Sequence, residues 1–315
     1  MKSLRIVFMG TPDFAVHALD QLIQNNYNIV GVITAPDKPA GRGRKLNQSA
    51  VKKYADQHNL NLLQPTNLKD EDFLKTLKQL NADLQIIVAF RMLPKVVWDM
   101  PKHGTFNLHA SLLPQYRGAA PIHWSIINGE TKTGVTTFFI DEKIDTGAII
   151  LKEETNIGAT ETVGELHDRL MQIGAELIIK TVDLIEEGKV NPVIQPSDTP
   201  IRTAYKLNPD NCRIDWTDGL DNIFNKIRGL NPFPAAWTEL HNNDTVIKVK
   251  IFAIEKLAVE HNIEKGKLVI EDKKMKIAVT NGFIIINELQ LAGKRKMDVK
   301  SLLNGYQFSN NAKLL

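Results

Sequence analysis

The chain opens with a strand, a helix and a second strand in immediate succession, and this order restricts the fold more than any other feature. Residues 4–9 form an apolar run typical of a buried strand, and residues 29–33 form another. Between them Phe14 and Leu22 belong to an apolar stripe at helical spacing, for which Thr11 is the expected N-cap. Because such a unit joins parallel strands by a right-handed crossover, the sequence predicts a Rossmann-like α/β sheet.

The periodicity changes after a long amphipathic helix predicted over residues 161–188. Residues 84–89 and 105–109 still read as strands of the α/β sheet, whereas residues 191–200 hold three prolines and no helical period. Further on, short alternating runs are separated by turns at the spacing of a small barrel. We therefore expect an N-terminal α/β domain over 1–190, a linker over 191–206 and a smaller OB-like β-barrel domain over 207–315.

Composition excludes several classes of protein. The single cysteine, Cys212, rules out an internal disulfide and a multi-cysteine zinc site, and the histidines show no ligand spacing, so no metal is expected. Neither a signal peptide nor an apolar run of about 18 residues is present, which predicts a cytoplasmic protein with no membrane partner. The net charge of +3 lies within residues 207–315, with 16 Lys and Arg against 13 Asp and Glu, which fits either a solvated surface or a phosphate-facing one.

Three polar residues form a candidate catalytic group. Asn107 and His109 are two positions apart, so an extended strand places both side chains on one face. Asp145 follows on a short loop that ends in glycine, where it can orient or charge the imidazole. An amide donor, an imidazole and a carboxylate suit acyl transfer to an amine. Since none of the three is a strong nucleophile, direct transfer is favoured over a covalent intermediate.

Nucleotide chemistry is disfavoured by the glycine-containing segments. Pro12 stands where a dinucleotide-binding turn has its second glycine, which argues against NAD, and no segment has Walker spacing. The loop at 36–45 carries Arg42 between two glycines, followed by Arg44 and Lys45. This loop fits a solvated surface or a clamp for the phosphates of a nucleic acid.

Several longer motifs carry a family resemblance that covers essentially the whole chain. They are N-L-H at 107–109, S-L-L-P at 111–114, Y-R-G-A-A-P at 116–121, D-x-x-x-D-T-G at 141–147, G-T-P-D-F at 10–14, P-A-G-R-G-R-K at 39–45, R-I-D-W at 213–216 and N-P-F-P-A-A-W at 231–237. Together they resemble the folate-dependent formyltransferases, and within them the branch that acts on methionyl-tRNA. One departure is the turn Phe90-Arg91-Met92, which lacks the usual glycine and is one residue shorter than the turn that lines the pterin pocket in relatives.

The resemblance implies an activity, its substrates and a set of site residues. The formyl group of 10-formyltetrahydrofolate would pass to the α-amine of methionine on initiator methionyl-tRNA, releasing tetrahydrofolate, and a monomer is expected. The implied catalytic residues are Asn107, His109 and Asp145; the folate-binding residues are Ser111, Leu112, Leu113, Pro114 and Asp141; the tRNA-binding residues are Arg42, Arg44 and Lys45, and the C-terminal barrel would add further tRNA contacts.

Three alternatives stay open at this point. A formyltransferase for a nucleotide-linked amino sugar can share the core motifs, although the basic loop around Arg42 weighs against it. A tRNA-binding protein without catalytic activity is disfavoured by the presence of Asn107, His109 and Asp145. A dehydrogenase is disfavoured by Pro12.

Overall fold

The computed structural model describes residues 3–40, 45–196 and 200–315, and the chain divides into two compact units. The first unit consists of Met1–Gly118, Gly134–Thr155 and His167–Thr203. The second consists of Ala119–Thr133, Asn156–Leu166 and Ala204–Leu315. The domain boundaries expected at residues 190 and 207 stay a prediction. Within the described ranges, no helix combines the length and the apolar composition needed to cross a bilayer.

A seven-stranded sheet forms the centre of the first unit. Its strands and those of an adjoining hairpin are β1 Arg5–Gly10, β2 Asn28–Ile33, β3 Lys38–Ala40, β4 Lys45–Asn47, β5 Leu62–Leu63, β6 Leu84–Val88, β7 Thr105–His109, β8 Lys132–Phe139 and β9 Ile149–Asn156. The order across the sheet is β5-β2-β1-β6-β7-β8-β9, and β3 pairs with β4 alone. Strands from β5 to β7 are parallel, and β8 runs antiparallel to β7. The order reverses between β1 and β6, where such sheets bind ligands at the carboxyl ends of their strands.

The described residues form eight helices, and the one predicted over residues 161–188 is two residues shorter at each end in the structure. They are α1 Asp13–Gln24, α2 Ala50–Gln57, α3 Glu71–Gln79, α4 Lys95–Trp98, α5 Pro121–Ile127, α6 Val163–Glu186, α7 Leu220–Arg228 and α8 Val299–Leu303. The predicted cap of α1 was wrong, because the helix begins at Asp13 and its N-cap is Pro12 instead of Thr11. The hairpin of β3 and β4 lies in a segment predicted as a loop. Its strands are only three residues long, too short for an alternating pattern to reveal.

Two antiparallel sheets build the C-terminal part of the second unit. Its strands are β10 Ala236–Asn242, β11 Thr245–Ile251, β12 Ile254–Ala258, β13 Leu268–Glu271, β14 Lys274–Val279, β15 Gly282–Ile286, β16 Glu288–Leu291, β17 Met297–Asp298 and β18 Lys313–Leu314. They form one sheet in the order β17-β16-β11-β10-β18 and another in the order β12-β15-β14-β13. Inward-facing residues such as Ile251 and Ile277, with Trp216, are buried in a common core. The predicted fold class is confirmed, because the mainly parallel α/β sheet and the separate antiparallel region are both present.

Candidate active site

Strand β7 carries Asn107 and His109 near its carboxyl end, in the interior of the sheet. Asn107 is paired with Ile87 of β6 on one side and with Phe138 of β8 on the other. The two side chains share one face of the sheet, as the spacing predicted. The Oδ1 atom of Asn107 is buried without a hydrogen-bond partner among the described residues. Since buried polar atoms are nearly always paired, this oxygen is an acceptor that a donor from a ligand or a water molecule would satisfy.

The imidazole of His109 is fixed by a backbone carbonyl. Its Nε2 atom lies 2.8 Å from the carbonyl oxygen of Tyr116. Because a carbonyl oxygen can only accept, this contact assigns a proton to Nε2, which donates it. The side chain is 7% exposed, and its Nδ1 atom lies 3.9 Å from Oδ2 of Asp145. That separation is too long for a direct hydrogen bond but leaves room for a donor that contacts both atoms. The Nδ1 atom is therefore the ring nitrogen left to take part in chemistry.

Asp145 is held in place by its own loop and by a neighbouring one. The backbone N–H of Gly118 donates to Oδ2 of Asp145 at 2.9 Å. The backbone of Asp145 has φ = 55°, in the left-handed region that most residues avoid. Its carboxylate is 15% exposed, so its charge acts on the imidazole through a largely desolvated space. The structure thus brings Asn107, His109 and Asp145 to one end of the sheet.

Gly147 explains why the loop that carries Asp145 ends in glycine. A Cβ atom built on Gly147 would lie 1.7 Å from the carbonyl oxygen of Phe139, far inside any real contact distance. The backbone at this point approaches the end of β8, where the N–H of Phe139 donates to the carbonyl of Ala148 at 2.9 Å. The position of Asp145 therefore depends on the absence of a side chain two residues later.

The segment of the predicted folate contacts is fastened to β8 by a buried threonine. The hydroxyl of Thr136 donates to the carbonyl of Ser111 at 2.6 Å and accepts from the N–H of Leu113 at 3.2 Å. Ser111 and Leu113 are fully buried, and the Ser111 hydroxyl donates to the carbonyl of Gln115 at 2.7 Å. These two side chains shape the loop, while Leu112 and Pro114 are half-buried and have surface left for a ligand. Sequence reasoning missed Thr136, because a buried threonine within a strand carries no distinguishing local pattern.

Lys152 of β9 supports the same segment. Its ammonium group donates a hydrogen bond to the carbonyl oxygen of Leu113. Burial lowers the pKa of Lys152, because the charged form loses solvation there. The backbone between Ser111 and Pro114 is thus held from two strands of the sheet.

The remaining predicted site residues are Asp141 and the three basic residues of the loop at 36–45. Asp141 is exposed, and its Oδ1 atom accepts from the N–H of Lys143 at 3.0 Å and from the hydroxyl of Thr146 at 2.7 Å, so it shapes the loop that leads to Asp145. Arg42 and Arg44 lie outside the described residues, and of Lys45 only the backbone, at the start of β4, is described. Among the described residues, no three His, Cys, Asp or Glu side chains form a group that could hold a metal ion.

The turn after β6 is anchored by Arg91. The guanidinium of Arg91 donates to the carbonyl of Thr66 at 2.9 Å and also to the carbonyl of Pro65. Ala89, at the start of the turn, has φ = 49°. Arg91 thus ties the turn to the segment that follows β5.

Comparison with known proteins identifies the family. The formyl transferase model matches residues 4–182, and the model of the formyl transferase C-terminal domain matches residues 206–307. The chain belongs to the formyl transferase family. Two of its most similar relatives are the methionyl-tRNA formyltransferases of Flavobacterium johnsoniae, 61% identical over 100% of both chains, and of Bacteroides fragilis, 51% identical over 99% of this chain and 98% of the relative. The predicted family resemblance is therefore confirmed, and the chain is an enzyme of formyl transfer.

Solved structures share the fold of this formyltransferase at much lower identity. One is a sugar 3N-formyl transferase, WlaRD, in the presence of dTDP and 5-N-formyl-THF, with a TM-score of 0.64 and 21% identity over 93% of this chain and 99% of that one. Another is HypX from Aquifex aeolicus in complex with tetrahydrofolic acid, with a TM-score of 0.65 and 17% identity over 95% of this chain and 47% of that one. At such identities the likeness shows the fold alone.

Proposed function

We propose that the protein transfers the formyl group of 10-formyltetrahydrofolate to the α-amine of methionine carried by initiator methionyl-tRNA. The observation that carries this proposal is the placement of the Asp145 carboxylate 3.9 Å from Nδ1 of His109, at the end of the strand that also holds Asn107. The tRNA substrate is supported by full-length relatives at 51–61% identity that bear that name. The proposed enzyme acts as a cytoplasmic monomer, with its catalytic domain over 1–190 and its tRNA-binding barrel over 207–315.

The reaction follows from the side chains at the site. The neutral methionine amine attacks the formyl carbon, a new C–N bond forms, and negative charge develops on the formyl oxygen. The amide of Asn107 donates to that oxygen, and so does Nδ1 of His109 when the ring is protonated at both nitrogens, because the Nε2–H is already held by the carbonyl of Tyr116. One such donor typically contributes roughly 3–4 kcal/mol to the lowering of the barrier. Asp145 takes the proton from the attacking amine. The bond between the formyl carbon and N10 of the folate then breaks, and N10 takes the proton that Asp145 received, so that tetrahydrofolate leaves and Asp145 is again a carboxylate.

Different segments of the chain bind the two substrates. We assign the folate to the loop Ser111–Pro114, where Leu112 and Pro114 have free surface and the loop begun by Asp141 closes the site. We assign the acceptor end of the tRNA to Arg42, Arg44 and Lys45, whose fixed charges suit phosphate groups. Contacts of this kind make affinity for tRNA fall as the salt concentration rises.

Single-turnover formyl transfer to charged initiator tRNA tests the catalytic assignment. His109→Ala and Asp145→Asn should each lower the rate by at least roughly 100-fold, because they remove an oxyanion donor and the proton acceptor. Asp99→Asn makes the same chemical change at an exposed carboxylate and should leave the rate unaltered. A rate near that of the wild type in either site variant would remove that residue from the mechanism.

An amino-sugar formyltransferase is the competing function, because a sugar 3N-formyl transferase shares the fold over most of both chains. The same assay discriminates the two when initiator methionyl-tRNA, elongator methionyl-tRNA and a dTDP-linked amino sugar are compared as acceptors. We expect rapid transfer to the initiator tRNA alone. Preferred formylation of the amino sugar would overturn the proposed function.

A further inference from the structure

The segment that follows α6 returns to the edge of the sheet and places a buried glutamine against the catalytic loops. Val193 and Ile149 exchange backbone hydrogen bonds of 2.8 Å in both directions, which fastens this segment to β9. Two residues later, the side chain of Gln195 points inward, and the residue is only 7% exposed. A buried amide must pair its oxygen and its nitrogen, so its partners reveal what it holds.

The amide of Gln195 joins two loops that are distant in sequence. Its Nε2 atom donates to the carbonyl of Asp145 at 3.0 Å and to the carbonyl of Gly147 at 2.8 Å. Its Oε1 atom accepts from Arg117, at 2.7 Å from Nη2 and 3.2 Å from Nε. Both ends of the amide are thus paired, one on the loop that carries Asp145 and the other on the loop that contains Arg117.

The loop that contains Arg117 contacts both catalytic side chains. The neighbours of Arg117 are Tyr116, whose carbonyl pairs with Nε2 of His109, and Gly118, whose N–H donates to the carboxylate of Asp145. The Gln195 amide therefore contacts the side chain of the residue that lies between these two backbone groups, and on its other side the backbone of Asp145 itself. It also bonds the carbonyl of a residue whose left-handed backbone, with φ = 55°, persists only when its surroundings hold it.

We propose that Gln195 is a positioning residue for formyl transfer, which sets the separation between the Asp145 carboxylate and the His109 imidazole by clamping their two loops together. This inference rests on the proposed function. A purely structural role would affect the stability of the fold and leave the chemical step of the folded enzyme untouched. A positioning role affects the chemical step at saturating substrate, because displacement of a catalytic group by about 1 Å lowers rates by as much as roughly 100-fold.

Two substitutions separate these roles. Gln195→Leu removes all the hydrogen bonds at similar volume. Gln195→Glu keeps an acceptor for Arg117 but cannot donate to the carbonyls of Asp145 and Gly147. If the leucine variant does not fold, the glutamate variant serves as the test. Ile194→Ala is the matched control, because the neighbouring side chain is 85% exposed.

The measurements are kcat and the single-turnover rate at saturating 10-formyltetrahydrofolate and methionyl-tRNA, the KM of each substrate and the unfolding temperature. We expect kcat to fall by roughly 10–100-fold in both Gln195 variants, with each KM within about threefold of the wild type and Ile194→Ala unchanged. A kcat within about twofold of the wild type in a folded Gln195 variant would overturn the inference, as would a loss confined to KM. Failure of the wild type to formylate methionyl-tRNA would instead refute the proposed function.

Discussion

Gly147→Ala tests whether the geometry of the Asp145 loop limits the reaction. In the native chain the added Cβ atom would lie 1.7 Å from the carbonyl oxygen of Phe139, whereas real Cβ atoms stay beyond 3.0 Å of such neighbours. The atom in the way belongs to the backbone, so the loop itself has to move by roughly 1 Å or more. Asp145 is two residues away and moves with it.

A displacement of that size predicts a large effect on rate and a moderate effect on stability. A loss of roughly 100-fold in the chemical step corresponds to about 2.7 kcal/mol of barrier, and overpacking typically destabilises by about 1–3 kcal/mol. Single-turnover transfer at saturating substrates measures the first quantity, and denaturant unfolding measures the second. Gly305→Ala is the control, because a Cβ atom added there would meet nothing within 4 Å.

The outcome that refutes this reasoning is specific. If Gly147→Ala is folded and transfers formyl groups within about threefold of the wild-type rate, the chemical step tolerates movement of the Asp145 loop. The 3.9 Å separation from His109 would then not control catalysis. A loss of the same size in Gly305→Ala would point to a nonspecific effect of the substitution and would equally contradict the argument.

Two further predictions concern other parts of the chain. Arg91→Met should raise the KM for the folate by roughly fivefold, since the turn after β6 loses its bonds to Pro65 and Thr66, worth about 1 kcal/mol at an exposed site. Met92→Ala, at a side chain 70% exposed, is its control, and equal KM values in both variants would contradict the anchoring role. Burial raises the pKa of the Cys212 thiol, so at any given pH less of it is thiolate than in the unfolded chain. A thiol reagent at a pH of about 8 should therefore react with native protein far more slowly than with protein in guanidinium, and equal rates would refute its burial.

The local pattern of apolar and polar residues was sufficient to predict the fold class and part of the candidate site. The predicted bounds of β7 agree with the structure, because Phe106 and Leu108 alternate with polar residues along the strand. The same period places Asn107 and His109 on one face. The cap of α1 was one residue off, since Thr11 and Pro12 are both compatible with a helix start and the backbone alone decides between them.

The sequence by itself determined which residue types lie on which face of each element, because side-chain direction in a strand or helix depends only on near neighbours. Only the tertiary structure decided how the catalytic groups meet. Gly118 bonds Asp145 across 27 residues, and Gln195 bonds Arg117 across 78. No short-range period encodes contacts between loops so far apart, and the carbonyl of Tyr116 that orients His109 is a backbone atom that every residue possesses.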